Sequence, residues 1–309
     1  MRIARRNLFL SATLVVLVVT QFALNESVPE ERSIGALFPD LATRDAARIV
    51  LAQGDNEVEL VRQGEDWFVP AELGFLAQTR AVQDLLLTLT SLTNSDLLSE
   101  EAEMHGLYGV GQDGLRARVF DGAGAVIADL VQGGLADSAR GSGAATFVRS
   151  LLEENTNAVF RAPHCPPVTL DVMQWLQTRW LRLTPPTVTR IVIDGQDLPE
   201  AVRGRSIEKD DEGAWNAGFA GEVPKRAVLD LLGVCTNLFL SSVHAAGPLP
   251  GEAALEVSFY EGDVLMDTLR FGAELPGGRS AGRSTGDFVA LLPADVYALV
   301  REAVRVLER

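Results

Sequence analysis

The sequence predicts an α+β protein made of two duplicated domains, each an antiparallel sheet with helices packed on one face, behind one N-terminal transmembrane helix. Three observations predict this. An uncharged apolar run lies near the start, a set of residue patterns occurs twice in the same order, and each copy sets alternating apolar strands beside a helix with a single apolar stripe.

The chain opens with Arg2, Arg5 and Arg6 and then runs from Leu8 to Leu24 without a charge. Basic residues before an apolar run keep the N-terminus in the cytoplasm and send the rest across the membrane. The run is about 17 residues, about 25 Å as a helix, at the short end for spanning a bilayer. Signal cleavage wants small residues flanking one position before the cut, and Gln21-Phe22-Ala23 puts Gln at one of those places. Residues 1–24 therefore read as an uncleaved signal-anchor. They place the protein in the inner (cytoplasmic) membrane as a single-pass chain with an extracytoplasmic body. No Cys stands near the end of the run for lipid attachment, and the polar, Pro-containing residues 25–45 read as a tether.

With 309 residues, 47% of them hydrophobic, the chain has enough apolar material for one large core or two ordinary ones. Its net charge is -15, although three arginines precede the apolar run, so the body is more acidic still. An acidic surface repels phosphate backbones, which excludes nucleic acid as a partner.

The body states one pattern twice, over residues 46–186 and 187–309. Arg48-Ile49-Val50 recurs as Arg190-Ile191-Val192, and Trp67 recurs as Trp215 after a polar turn. Val82, Leu85, Leu86, Leu89 and Leu92 form one face of a 3.6-residue period; Val228, Leu231, Leu232, Cys235 and Leu238 repeat it. Cys235 thus takes the place of Leu89 in a core, as a small hydrophobe, which argues against a disulfide to Cys165. Next come two hairpins, Leu115 to Phe120 with Val126 to Val131, and Ala254 to Tyr260 with Val264 to Phe271, each turning at an acidic residue followed by Gly. Gly-rich loops follow, Gly133 to Gly143 and Gly277 to Gly286, then strands at Phe147-Val148 and Phe288-Val289. Closing helices are predicted over Val168 to Gln177 and Pro293 to Leu307.

Several of these features resemble a family of bacterial membrane-anchored proteins known as domain of unknown function 4340. They are the Ile49-Val50 strand, Trp67, the helix with Leu85 and Leu86, Gly106-Leu107-Tyr108-Gly109-Val110, the Val126 to Gly133 strand and Phe147-Val148-Arg149. The usual Tyr-Gly-Leu of that family stands here as Tyr108-Gly109-Val110. The resemblance implies a companion of transporter components related to gliding-motility ABC systems, and it brings no catalytic residues with it.

A hydrolase needs a nucleophile with a base in reach, and only His105, His164 and His244 offer an imidazole. His105 and His244 read as surface or turn residues. His164-Cys165 lacks the further ligands that zinc requires. No metal, cofactor or catalytic group is therefore expected. The Gly-rich loops carry Arg140 with Ser142 and Arg283 with Ser284, a weak candidate site for an anionic ligand or partner, without the Gly-Lys-Ser/Thr ending of a phosphate loop. Acidic runs such as Glu100, Glu101 and Glu103 or Asp210 to Glu212 read as solvated turns, and Trp175 and Trp180 as domain-interface packing rather than a sugar platform. The expected function is a non-enzymatic, membrane-anchored accessory protein that binds a partner or substrate of an ABC-type transport system. A stand-alone envelope glycan- or ligand-binding module is the second reading.

Overall fold

The computed structural model describes residues 34–307 apart from 137–144, 153–155, 164, 166, 182, 201–202, 218–220 and 285. The apolar run 8–24 lies outside these residues, and no helix among them is long and apolar enough to cross a membrane.

The first sheet contains β1 (Ala46–Gln53), β2 (Asn56–Gln63), β3 (Asp66–Val69), β4 (Phe75–Leu76), β5 (Leu97–Ser99), β6 (Leu115–Asp121), β7 (Val126–Ala136), β8 (Ala145–Ser150) and β9 (Val159–Pro163). Their spatial order is β4-β3-β2-β1-β6-β7-β8-β9-β5, with every pair antiparallel. The second contains β10 (Arg190–Asp194), β11 (Arg205–Lys209), β12 (Trp215–Ala217), β13 (Gly221–Val223), β14 (Ser242–Ala246), β15 (Leu255–Glu261), β16 (Val264–Leu275), β17 (Gly278–Arg283) and β18 (Phe288–Leu292). Its order, β13-β12-β11-β10-β15-β16-β17-β18-β14, is the first order over again. The duplication read from the sequence is thus a duplication of topology, and both units are largely β. Among the described residues four helices accompany them: α1 (Thr79–Ser91), α2 (His105–Tyr108), α3 (Lys225–Thr236) and α4 (Ala294–Leu307).

The repeated residues do the same work in each copy. Alternation sends Ile49 and Leu51, or Ile191 and Ile193, into the core. Their neighbours turn outward, and there Arg48 lies opposite Phe120 with its guanidinium 4.6 Å from the ring centroid. Arg190 lies opposite Tyr260 at 4.3 Å. Each is a cross-strand cation–π pair that locks the central strands in register. Trp67 and Trp215 are both buried, and the predicted stripes of α1 and α3 face the core with Leu86 and Leu232 almost fully enclosed. Truncating Leu232 to Ala should cost about 3 kcal/mol, read as a lower denaturant midpoint at unchanged slope.

The connector between the sheets belongs to both. Leu176 bridges Ala77 and Arg179 bridges Phe239. Trp180 donates its backbone N–H to Leu238 O at 2.8 Å, and Leu240 donates to Thr178 O at 2.9 Å. The first repeat opens identically, with Leu37 donating to Leu92 O at 2.8 Å and Asn94 to Gly35 O at 3.2 Å. The segment read as a tether over 25–45 is therefore structured from Gly35 onward. It buries Leu37, Phe38 and Leu41 because these three supply the apolar contact that a polar linker would lack. One hydrophobic cluster runs through both repeats.

Three expectations are corrected. Val168 to Gln177 is no helix, and only Val172–Gln174 makes a single 3₁₀ turn. Val168, Thr169 and Val172 are β-branched and poor helix formers, and Asp171 ties the short turn off by accepting from the Met173 N–H at 3.1 Å. The Gly277 to Gly286 loop is mostly strand β17, held between β16 and β18. Phe147 and Phe288 are consequently not equivalent, because β8 matches β17 and β9 matches β18.

Helix α4 closes the second repeat. Tyr297 packs edge-on against Phe271 with centroids 5.2 Å apart, donates its hydroxyl to Asp197 and lies beneath Arg279 at 3.5 Å. Burial, and then the bond to Asp197, push the phenol up to about 12. The fold favours the neutral phenol, so this contribution is intact below the unfolded value of about 10 and is lost as pH rises from there through about 12. Chemical denaturation from pH 9 upward should show Tyr297→Phe losing less stability with alkali than the parent does.

Candidate functional site

The two repeats meet at a cleft of about 310 Å³. Phe75 enters from β4 of the first repeat and Phe288 from β18 of the second, with ring centroids 5.0 Å apart at 69°. Trp180 of the connector lies parallel to Phe75, with centroids 6.5 Å apart at 7°. Its indole Nε1 is buried without an acceptor among the described residues. Asp66, Arg179, Arg283 and Asp287 stand around these rings. An apolar aromatic floor under a rim of both charges suits a ligand with one flat face and polar edges.

Of the residues singled out from the sequence, Arg283 and Ser284 come together here and Arg140 and Ser142 lie outside the described residues. Arg283 is held from below: Nη2 and Nε donate to Asp267 Oδ2 at 2.6 and 3.1 Å, and Ser284 Oγ donates to Oδ1 at 3.1 Å. The backbone N–H of Thr268 gives Asp267 Oδ1 another bond at 2.9 Å. Asp267 is 2% exposed and Arg283 24%, so the carboxylate is structural and the guanidinium edge faces the cleft, 5.9 Å from the Trp180 ring centroid. Ser284 is a donor to an occupied carboxylate, which does not activate it as a nucleophile.

The other sequence candidates serve the fold. His105, expected at the surface, is 9% exposed: Nε2 donates to Asn157 O at 3.0 Å, which leaves Nδ1 to accept from Arg149 Nη1 at 2.8 Å. Its partner Arg149 is drawn below the usual guanidinium range, first by burial and then by Arg116. Arg116 is itself held to Asp129 at 2.5 Å. His244 is exposed on the edge strand β14, and His164 lies outside the described residues. Trp175 and Trp180 are 5% and 2% exposed, too enclosed for a sugar platform. Asp210 accepts from the N–H groups of Glu212 and Ala214 and so forms a turn. Cys165 and Cys235 are both buried thiols, and burial raises each. Among the described residues no group of three or more His, Cys, Asp or Glu is arranged to hold a metal ion.

Sequence reasoning missed Phe75, Phe288 and Asp267. The two phenylalanines meet only through tertiary packing. Asp267 carried a legible signal: a charge on the inward side of an apolar alternation, between Phe259 across the ladder and Leu269 along the strand.

The motif of Gly106 to Val110 also acquires a physical role. The turn lies over Gly133, where an added Cβ would fall 2.0 Å from Tyr108 O and 3.0 Å from Val110 Cγ1. The second copy repeats the contact with Leu249 over Gly272, where an added Cβ would meet Leu249 Cδ1 at 2.9 Å. Searches of curated proteins and of solved structures give no match. The family model described as Domain of unknown function (DUF4340) matches residues 67–245, from the buried Trp67 to edge strand β14 and more than half of the chain, and the protein belongs to that family.

Proposed function

We propose that this is a non-enzymatic accessory protein whose two-repeat body, held outside the inner membrane by residues 8–24, binds a partner or substrate of an ABC-type transport system. The observation that supports binding is the inter-repeat cleft, in which an aromatic floor and a charged rim come from both copies and from the connector. The basic-then-apolar N-terminus supports the location, and the family resemblance supports the transport partner. Mild crosslinking of the full chain in native membranes, followed by detergent extraction and pull-down, is expected to recover an ATPase or permease subunit. Reversing the exposed rim charge with Arg179→Glu should lower that recovery. Recovery of no transporter subunit overturns the transport reading.

The rim of Asp66, Arg179, Arg283 and Asp287 around the cleft favours a second reading, an envelope glycan- or ligand-binding module that works without a transporter. It predicts that wall-derived sugars bind the purified protein and that Arg179→Glu weakens them, with no subunit recovered.

A further inference from the structure

The two copies differ most where the second carries α4. That helix buries Tyr297, Val300, Val304 and Leu307 on the sheet beside α3. In the first copy the corresponding space is crossed by the irregular stretch from Cys165 to Trp175, whose Val168, Leu170, Val172 and Met173 only partly cover the core. One buried position explains the exchange. Phe271, which supports Tyr297 in the second copy, is Gln132 in the first, each lying across the ladder from a buried leucine. Gln132 accepts from the N–H of Val168 at 2.7 Å and donates to Cys165 Sγ at 3.3 Å, pinning the stretch down by hydrogen bonds instead of by a helix.

The substitution leaves a cavity of about 190 Å³ between this stretch, α1 and the sheet. Leu85, Leu89, Leu130, Val168 and Trp175 wall it, and Asp84 and Thr88 stand at its α1 side. The walls are the counterparts of surfaces that α4 covers in the second copy: Leu85 matches Leu231, which is 0% exposed, and Ala81, half-buried here, matches the buried Ala227. A charged ligand would lose its hydration there with little to replace it. A helix such as α4, with four side chains to bury, is too large. An apolar cavity of ~150 Å³ accommodates benzene, so this one has room for one ring and a small substituent.

We propose that the cavity under α1 is a binding site for a compact apolar group, a single ring or a short hydrocarbon chain, whose polar end lies near Asp84 and Thr88. This site is separate from the inter-repeat cleft and does not depend on what the cleft binds.

The test is ¹⁹F NMR of fluorobenzene with the full-length protein in lipid nanodiscs, comparing the parent with Ala81→Phe, which fills the cavity from α1. Identical nanodiscs cancel partitioning into lipid. The parent is expected to broaden or shift the fluorine signal at least twofold more than Ala81→Phe does, with both proteins melting alike. If Ala81→Phe fails to fold, Thr88→Leu, at a half-buried position on the cavity wall, replaces it. Equal spectra for the parent and a folded, filled variant overturn the proposal. So does a synthetic peptide of residues 293–307 that binds the parent and not the filled variant, since the seat would then belong to a helix.

Discussion

Gly133→Ala is expected to destabilise the first repeat by on the order of 4 kcal/mol or more, a size reserved for changes with a specific structural cause. The cause is steric. The new Cβ would fall 2.0 Å from Tyr108 O, with Gly109 C at 3.1 Å and Val110 Cγ1 at 3.0 Å. Two of the three obstacles are backbone, so no rotamer change relieves the overlap, and either β7 or the 106–110 turn must move. Moving the turn exposes Val110, which packs with Val131 and Val159 in a small apolar cluster on the outer face of the sheet. Gly134, next along β7, has open space around its added Cβ, so Gly134→Ala should cost under about 1 kcal/mol and serves as the control. Denaturant midpoints of the two variants measure the difference. Comparable losses would mean that strand propensity, not the contact, decides.

Asp267→Ala should cost about 3 to 5 kcal/mol, because it leaves Arg283 half-buried beside Trp180 without its carboxylate. The molecule supplies its own remedy. At the matching positions the first repeat places Ala128 and Ser150, both buried and neither charged. The double change Asp267→Ala with Arg283→Ser copies that arrangement and should recover most of the loss, so the two effects are strongly non-additive. A double-mutant cycle by equilibrium unfolding reads this directly. An additive result would show that Asp267 stabilises through its bond from the Thr268 N–H rather than through Arg283.

Much of the fold was legible because the repeated residues have repeated duties. Arg48 and Phe120, or Arg190 and Tyr260, form one cross-strand pair in each copy, and the α1 and α3 stripes each need apolar side chains at the same spacing. Strand β17 was illegible because Gly278-Arg-Ser-Ala-Gly-Arg has no β-branched or aromatic residue; its place inside the sheet, between β16 and β18, makes it a strand. The predicted helix over Val168 to Gln177 failed for a local reason, the β-branched Val168, Thr169 and Val172, and a distant one, Gln132, which periodicity along the segment does not register. At the cleft, the sequence picked out Arg283 and Ser284 as a pair but assigned them to a free loop. Their meaning depends on Asp267 across the ladder and on Phe75 from the other repeat.

The opening contacts of the first repeat also have a mechanical meaning. Among the described residues, a pull from the N-terminal side meets these hydrogen bonds around Gly35: Asn94 N to Gly35 O, Gly35 N to Asn94 Oδ1, and Leu37 N to Leu92 O. All three grip the chain just beyond α1, far along the sequence from the central strands. Tension is therefore borne by this short clasp before it acts on β1. The second repeat, whose matching clasp at Thr178 to Trp180 lies downstream of the whole first sheet, feels none of it until that sheet has given way.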